Sequence, residues 1–163
     1  MSTVASAALS AAAAAVTVHL YPGQMHVSPG PSIVRTILGS CVSVCLWDPL
    51  LKVGGLNHYL LPRGPANRPS DLRYGATAIP HLLHAVIAHG AVVGRLQAKV
   101  FGGGAVLEPL RGSGFSLAAD NVAIAREELQ RRGIPIVEEE TGGRAGRRLV
   151  FETHTGNASV KEL

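Results

Sequence analysis

Hydrophobic and polar residues alternate in several short runs of this chain, and each run is bounded by Gly, Pro, Asp or Asn. Such runs, rich in Val, Ile and Thr, predict β-strands separated by turns. We expect strands at VTVHL, IVRTIL, VSVCLW, VGGLNHYLLP, LQAKVF, IPIVEEE and RRLVFET, and a short last strand after HTGN. Between the first two, YPGQMHVSPGPS is punctuated by Pro and Gly and is expected to be a turn-rich connection.

Two other stretches have the periodicity of amphipathic helices. In the first, apolar residues recur at helical spacing, at Ile79, Leu82, Leu83, Val86 and Ile87. Thr77 is its expected N-cap, which leaves Pro80 in the tolerated first turn. Asp120 is the expected N-cap of the second helix, and Arg131 followed by Gly133 suits its end. The order of strands, helix, strand, helix and strands predicts a mixed α+β domain with helices packed on sheet faces.

The amino-terminal 15 residues are rich in Ala and carry no charge. No positive charge precedes their apolar run, which is shorter than the ~20 residues of a membrane span. We therefore expect residues 1–15 to be a disordered tail, with no membrane insertion, and residues 16–163 to form a single domain. Two cysteines are too few for a disulfide framework, so we expect a cytoplasmic protein with reduced thiols.

The formal net charge is +4, from 15 basic and 11 acidic residues. Arginines cluster late in the chain, at Arg131, Arg132, Arg144, Arg147 and Arg148. A nucleic-acid site would usually combine such a cluster with stacking aromatic residues or a recognition helix, and neither is evident, so we expect no nucleic-acid partner. A solvated basic face is the simpler interpretation. Steering of an acidic protein partner is the alternative.

Cys41 and Cys45 lie in the same predicted strand, VSVCLW with the cysteine that precedes it. Four residues along a strand separate them by about 13 Å, too far for a disulfide or for one shared metal ion. The expected core face of this strand consists of Val42, Val44 and Leu46. Cys45, in the middle of the strand among apolar residues, is interpreted as a small buried hydrophobe.

Cys41 differs because Gly39 and Ser40 directly precede it. A turn at these residues would bring the thiol to the end of a strand and leave backbone N–H groups free to hold a developing oxyanion. A core cysteine at the start of a strand is the alternative. A nucleophilic cysteine also requires a base, because a free thiol is largely protonated at neutral pH.

His58 is the candidate base among seven histidines, because it follows Gly54-Gly55 and Asn57 in an otherwise apolar strand. Two consecutive strands joined by a short turn are antiparallel, so His58, late in its strand, is expected to face Cys41, early in its own. Thr36, just before the turn, is a candidate to orient the imidazole through its hydroxyl. An ordinary strand threonine is the alternative.

Several motifs of the chain occur together in a known family. In chain order they are TILGSCVSVCLWDP, GGLNHYLLP, RYG, AKVFGGGAV and TGGRAGRRLVF. In this order they resemble the chemoreceptor glutamine deamidases of bacterial chemotaxis, the CheD family. The resemblance implies an α+β fold of mixed β-sheets flanked by helices, similar to the catalytic domain of cytotoxic necrotizing factor toxins. It also implies a cofactor-free amidohydrolase with Cys41 as nucleophile, His58 as catalytic histidine and Thr36 as the third member.

The resemblance further implies receptor glutamines as substrate and the CheC phosphatase as a partner. We expect Gly39, Ser40 and Asn57 to contribute to oxyanion or substrate binding, and no metal. The segment LAADN, residues 117–121, departs from the IG-x-RN stretch of many members, which bears on partner choice. The alternative function is a non-catalytic chemotaxis regulator that binds CheC or receptors.

Overall fold

The computed structural model describes residues 15–107 and 116–163, and in these ranges the chain forms nine strands and two α-helices. In chain order they are β1 (Val16–His19), β2 (Met25–Ser28), β3 (Ser32–Leu38), β4 (Val42–Asp48), β5 (Val53–Asn57), α1 (Gly75–Ala88), β6 (Gln97–Gly102), α2 (Leu117–Arg131), β7 (Ile136–Thr141), β8 (Arg147–Glu152) and β9 (Ala158–Glu162). A short 3₁₀-helix spans Val93–Arg95. The predicted tail falls almost entirely on residues 1–14, outside the described residues.

The strands form two sheets. A four-stranded sheet has the order β1-β3-β8-β9, and a five-stranded sheet has the order β2-β5-β4-β6-β7. The β1–β3 and β6–β7 pairs are parallel, and the other pairs are antiparallel. Both helices pack on the five-stranded sheet. The α+β class with helices on sheet faces is confirmed, and the likeness to cytotoxic necrotizing factor toxins stays a prediction.

Strand β4 lies at the centre of the molecule and is buried on both faces, apart from the half-buried Trp47. One face joins the core beneath the helices, through Val42, Val44 and Leu46. The other joins a second core between the two sheets, where Cys45 packs with residues such as Phe101 and Phe151. The predicted single core face of this strand is therefore incomplete, because a sheet packed between two layers buries both sides.

Strand β2 was not expected in the turn-rich segment. It pairs antiparallel with β5, from Met25 opposite Asn57 to Ser28 opposite Gly54. Local composition predicts turns here, but the edge of β5 supplies hydrogen-bond partners that the local sequence does not show.

Both helix starts lie earlier than predicted. In α1 the first N–H groups, of Gly75 and Ala76, donate to the loop carbonyls of Leu61 (2.8 Å) and Pro62 (2.9 Å). Those carbonyls replace a side-chain cap, so the expectation for Thr77 was wrong and Pro80 lies inside the helix. In α2 the Ser116 hydroxyl accepts from the Ala119 N–H. Asp120 is therefore a first-turn residue near the positive helix end rather than the N-cap.

Gly55 allows β2 and β5 to approach each other closely. A Cβ atom at this position would lie 2.5 Å from Val27 Cγ2 and 2.7 Å from the carbonyl oxygen of His26. The Gly54-Gly55 pair therefore marks a close approach of two backbones. It places β2 against the part of β5 that precedes His58.

We predict that Gly55→Ala destabilises the protein by about 1–3 kcal/mol, because the added methyl group must displace the backbone of β2. Gly94→Ala is the matched control, since a Cβ atom there meets nothing within 4 Å. Urea unfolding of both variants measures the effect. Equal stabilities for the two variants would show that the approach of β2 does not constrain this site.

Candidate active site

The imidazole of His58 is fixed by Thr36 across the space between the two sheets. The Thr36 hydroxyl lies 2.8 Å from His58 Nδ1 and 2.8 Å from the carbonyl oxygen of Leu20. A carbonyl can only accept, so the single hydroxyl hydrogen points to Leu20 and the oxygen accepts a hydrogen bond from Nδ1–H. This assigns the tautomer of His58: Nδ1 carries the proton and Nε2 has a free lone pair.

His58 Nε2 is buried and has no hydrogen-bond partner among the described residues. The whole side chain is 2% exposed, and that of Thr36 is 4% exposed. A buried polar atom without a partner costs about 1–3 kcal/mol, and such an atom in a native protein calls for an explanation. A basic nitrogen that awaits a proton from another group is one such explanation.

Cys41 lies on the same face of the five-stranded sheet as His58. Val42 and Tyr59 are directly opposite and exchange two backbone hydrogen bonds, of 3.2 and 3.0 Å. Cys41 and His58 each precede one member of this antiparallel pair, so both side chains point to the other face. They are diagonal neighbours, a relation that places Cβ atoms within about 7–8 Å. Cys41 packs against the inter-sheet core, where Thr36 also points.

The thiol and the imidazole are both neutral in this state. Burial lowers the pKa of His58 to about 4. Burial also raises the pKa of Cys41, an effect that its own backbone N–H partly offsets. No hydrogen bond joins the thiol to Nε2 in this structure, and catalytic hydrogen bonds commonly tighten only when substrate binds.

Backbone contacts hold the Gly39–Cys41 segment from two directions. The N–H groups of Gly104 and Gly103 donate to the carbonyls of Gly39 and Cys41, both at 2.8 Å. Conversely, no backbone carbonyl or side-chain oxygen in the part of the chain that the structure describes accepts a hydrogen bond from the N–H of Ser40 or Cys41. Two such N–H groups beside a thiol are what stabilisation of an oxyanion requires.

The turn that supplies these donors depends on glycine. Gly102 and Gly103 have φ angles of 110° and 63°. A Cβ atom on Gly102 would collide with the carbonyl oxygen of Cys41. Backbone in this left-handed region favours glycine, and here it brings β6 against the carbonyl side of the Cys41 segment.

Asn121 is a site residue that the sequence did not single out. Its side-chain amide donates to the carbonyls of Ser40 (3.0 Å) and Leu60 (2.8 Å). The Tyr59 hydroxyl in turn donates to the backbone carbonyl of Asn121. Asn121 therefore joins the segment before Cys41 to the segment after His58. It is the last residue of LAADN, the segment that departs from the IG-x-RN stretch.

Asn57 has a definite structural role. Its side-chain oxygen accepts from the Val44 N–H at 2.9 Å, which closes the ladder between β4 and β5 at that point. Its side-chain nitrogen is buried without a partner among the described residues. The strand register turns Asn57 to the face opposite His58.

A groove of about 570 Å³ leads to the imidazole from the end of β1. Thr36 and His58 form its inner wall. The other residues that line it are His19, Leu20, Tyr21, Pro22, Arg35, Ile37 and Arg148. Cys41 is not among the residues that line this groove.

The remaining candidates lie apart from this group. Cys45 is buried in the inter-sheet core, as predicted, where burial raises the pKa of its thiol, and both cysteines are free. The loop after β5 is fixed to α2 by a two-pronged ion pair between Arg63 and Glu127. Within the described ranges, no three His, Cys, Asp or Glu side chains are placed to hold a metal ion.

The sequence also matches the model of a known protein family. The model of the CheD family, described as CheD chemotactic sensory transduction, matches residues 60–162, more than half of the chain. The chain belongs to the CheD family.

CheD relatives align over most of the sequence. The chain is 42% identical to a probable chemoreceptor glutamine deamidase CheD 1 of Anaeromyxobacter dehalogenans, over 90% of this chain and 84% of that protein. It is 43% identical to the corresponding CheD protein of Caulobacter sp., over 87% of this chain and 75% of that one. The first alignment leaves about a tenth of the chain outside, so residues 36–58 necessarily fall within it.

A solved structure is similar in fold. A Neisseria meningitidis protein of the DUF152 family superimposes with a TM-score of 0.50 at 14% identity, over 85% of this chain and 68% of that one. This likeness extends to the fold alone.

No helix in residues 15–107 and 116–163 combines the length and apolarity that a membrane crossing requires.

We predict that the buried neutral His58 makes the CheD domain less stable in mild acid. Its pKa is lowered from 6.5 to about 4, so the unfolded chain binds the proton first as the pH falls. The free energy of unfolding should therefore decrease between about pH 6.5 and pH 4, by at most about 3 kcal/mol from this group. Urea unfolding across this range, with His58→Gln as the control, isolates the contribution. Parallel profiles for the two proteins would contradict the assigned pKa.

We also predict that Asn121→Ala lowers stability by about 2–3 kcal/mol, because the carbonyls of Ser40 and Leu60 lose their buried donor. Gln130→Ala is the matched control, since it removes a similar amide from an exposed position of α2. The alkylation rate of Cys41 should change only in Asn121→Ala, as the segment before the thiol loosens. Identical alkylation rates in both variants would exclude a positioning role for Asn121.

Proposed function

We propose that this CheD protein is a chemoreceptor glutamine deamidase in which Cys41 is the nucleophile. One observation carries the proposal: a buried imidazole, fixed by Thr36 in the Nδ1–H tautomer, keeps an unpartnered Nε2 on the face of the sheet that also holds the Cys41 thiol. Nucleophile, base and orienting group are the parts that thiol-dependent acyl transfer requires. The names of the CheD relatives supply the substrate, a receptor glutamine.

The reaction proceeds through a thioester. His58 Nε2 accepts the thiol proton, and the Cys41 sulfur attacks the side-chain amide carbon of a receptor glutamine. The N–H groups of Ser40 and Cys41 donate hydrogen bonds to the oxyanion. Gly39 directly precedes them and forms the turn that presents them. Protonated His58 returns its proton to the amide nitrogen, which leaves as ammonia. Water, deprotonated by His58, then hydrolyses the thioester to glutamate and restores the thiol.

The low pKa of His58 has opposite effects on the two proton transfers. It makes removal of the thiol proton harder and protonation of the leaving ammonia easier. A buried imidazole near pKa 4 is a weak base towards a thiol whose pKa is raised by burial. Once protonated, however, it is a strong acid, and ammonia is a poor leaving group without a proton. Thr36 provides a neutral oxygen, so no carboxylate stabilises the imidazolium. We therefore infer that the resting thiol is unreactive and that receptor binding brings sulfur and Nε2 together.

Two further expectations belong to the same proposal. A cytoplasmic location would place the enzyme beside the cytoplasmic helices of receptors, and the CheC phosphatase is the predicted regulatory partner. The side chain of Asn57 accepts a hydrogen bond from Val44 inside the sheet. It would therefore affect the oxyanion site indirectly, by fixing the position of β4, and would not contact the oxyanion.

We predict that the purified protein releases ammonia from a receptor cytoplasmic fragment and adds about one dalton for each converted glutamine, because an –NH2 group is replaced by –OH. Cys41→Ala should abolish both signals. Cys45→Ala is the matched control and should retain activity, since that thiol is buried in the core. Mass spectrometry of the fragment measures the outcome. Equal conversion by wild type and Cys41→Ala would refute the thiol mechanism.

A further inference from the structure

The outer face of the four-stranded sheet carries a group of exposed basic side chains, which we call the basic face. It consists of His19 on β1, Arg35 on β3, Arg148 on β8 and Lys161 on β9. Neighbouring residues on the same strands, such as Thr36 and Leu149, are buried on the inner side. Strand alternation therefore projects all four basic side chains away from the inter-sheet core.

The strand register places these basic side chains next to one another. Arg148 is directly opposite Lys161, and the His19 ring is directly opposite Arg35. The two like charges of Arg148 and Lys161, in directly opposed positions, destabilise the sheet. None of the four forms an ion pair with a carboxylate of the described residues.

Carboxylates are also distant along the central strand of this face. On β8 the next outward-facing acidic residue is Glu152, four residues from Arg148 and thus about 13 Å away. Glu152 already accepts a hydrogen bond from the Thr155 hydroxyl at 2.8 Å. No ion pair with a described carboxylate relieves the repulsion between Arg148 and Lys161, and an anionic partner would relieve it.

The basic face is continuous with the proposed catalytic group. Arg35, Arg148 and His19 form the outer wall of the groove whose inner wall is Thr36 and His58. Two apolar side chains extend the same rim, Ile37 with 59% and Tyr21 with 64% of their surface exposed. Cations combined with exposed apolar residues suit a protein segment better than a small anion.

We propose that the basic face docks an acidic helical segment of the receptor beside the groove that leads to His58. This inference rests on the proposed function and adds the recognition surface. From Arg35 to Lys161 the face crosses three strands, about 10 Å, which corresponds to roughly two turns of a helix. Acidic residues about three, four or seven positions from the target glutamine would lie on the helix face that meets it.

The test compares two charge reversals with the same change in net charge. Arg148→Glu alters the basic face, whereas Lys52→Glu alters an exposed position in the turn after β4, at the far end of that strand from Cys41. We expect Arg148→Glu to raise KM for the receptor fragment at least about tenfold and to flatten its dependence on salt. Lys52→Glu should match wild type. Alkylation of Cys41 should be the same in all three proteins.

Stability separates loss of docking from loss of folding. The carboxylate introduced by Arg148→Glu would face Lys161 in place of a like charge, so this variant should raise Tm by about 1–2 °C while it weakens receptor binding. A drop in Tm together with the rise in KM would overturn the inference, because the rise would then follow from damage to the sheet.

Two other outcomes would overturn it. Unchanged KM in Arg148→Glu, with wild type still releasing ammonia, would remove the basic face from recognition and leave the proposed function standing. Failure of wild type to release ammonia would remove the proposed function and this inference with it. Vesicles with anionic lipid serve as a further probe: binding that Arg148→Glu abolishes, with receptor binding intact, would assign the basic face to a membrane surface.

Discussion

The hydrogen bond between Thr36 and His58 joins the two sheets, and the proposed chemistry depends on it because it fixes the orientation of the catalytic imidazole. Thr36 belongs to the four-stranded sheet and His58 follows a strand of the five-stranded sheet, so their bond spans the inter-sheet core. The carbonyl of Leu20 directs the threonine hydroxyl and thereby fixes which ring nitrogen is free. A shift between the sheets would break this bond, and the packing of Phe101 and Phe151 between them opposes such a shift.

The same sheet-to-sheet crossing explains the position of the thiol. The chain leaves one sheet after Leu38 and enters the other at Val42, so Gly39, Ser40 and Cys41 bridge the two layers. Residues at such a crossing cannot satisfy their backbone groups within either ladder. Their carbonyls accept hydrogen bonds from Gly103, Gly104 and Asn121, while N–H groups remain for a substrate. Free donors beside the thiol thus follow from the connection between sheets and need no dedicated loop.

Local relations in the chain were predictable from the sequence. Strand alternation and a short turn between consecutive strands place Cys41 and His58 on one face, and both rules act over fewer than about 20 residues. Other features depend on distant partners. Asn121 contacts Ser40 across 81 positions of sequence, and β2 is a strand through its pairing with β5, about 30 residues later in the chain. The start of α1 moved for the same reason, because carbonyls of the preceding loop accept hydrogen bonds from its first N–H groups.

A resting site with neutral thiol and neutral imidazole gives a reason for a separate recognition surface. Formation of the ion pair from two groups whose pKa values burial has moved apart is unfavourable, so free enzyme would modify few exposed amides by chance. Binding energy from a charged surface outside the catalytic group can offset that cost only for a partner that contacts both. The groove provides such a connection, because its outer wall is basic and its inner wall is the imidazole. In the proposed mechanism, selectivity would follow from the two features together, the unreactive resting thiol and the basic sheet face that binds the partner.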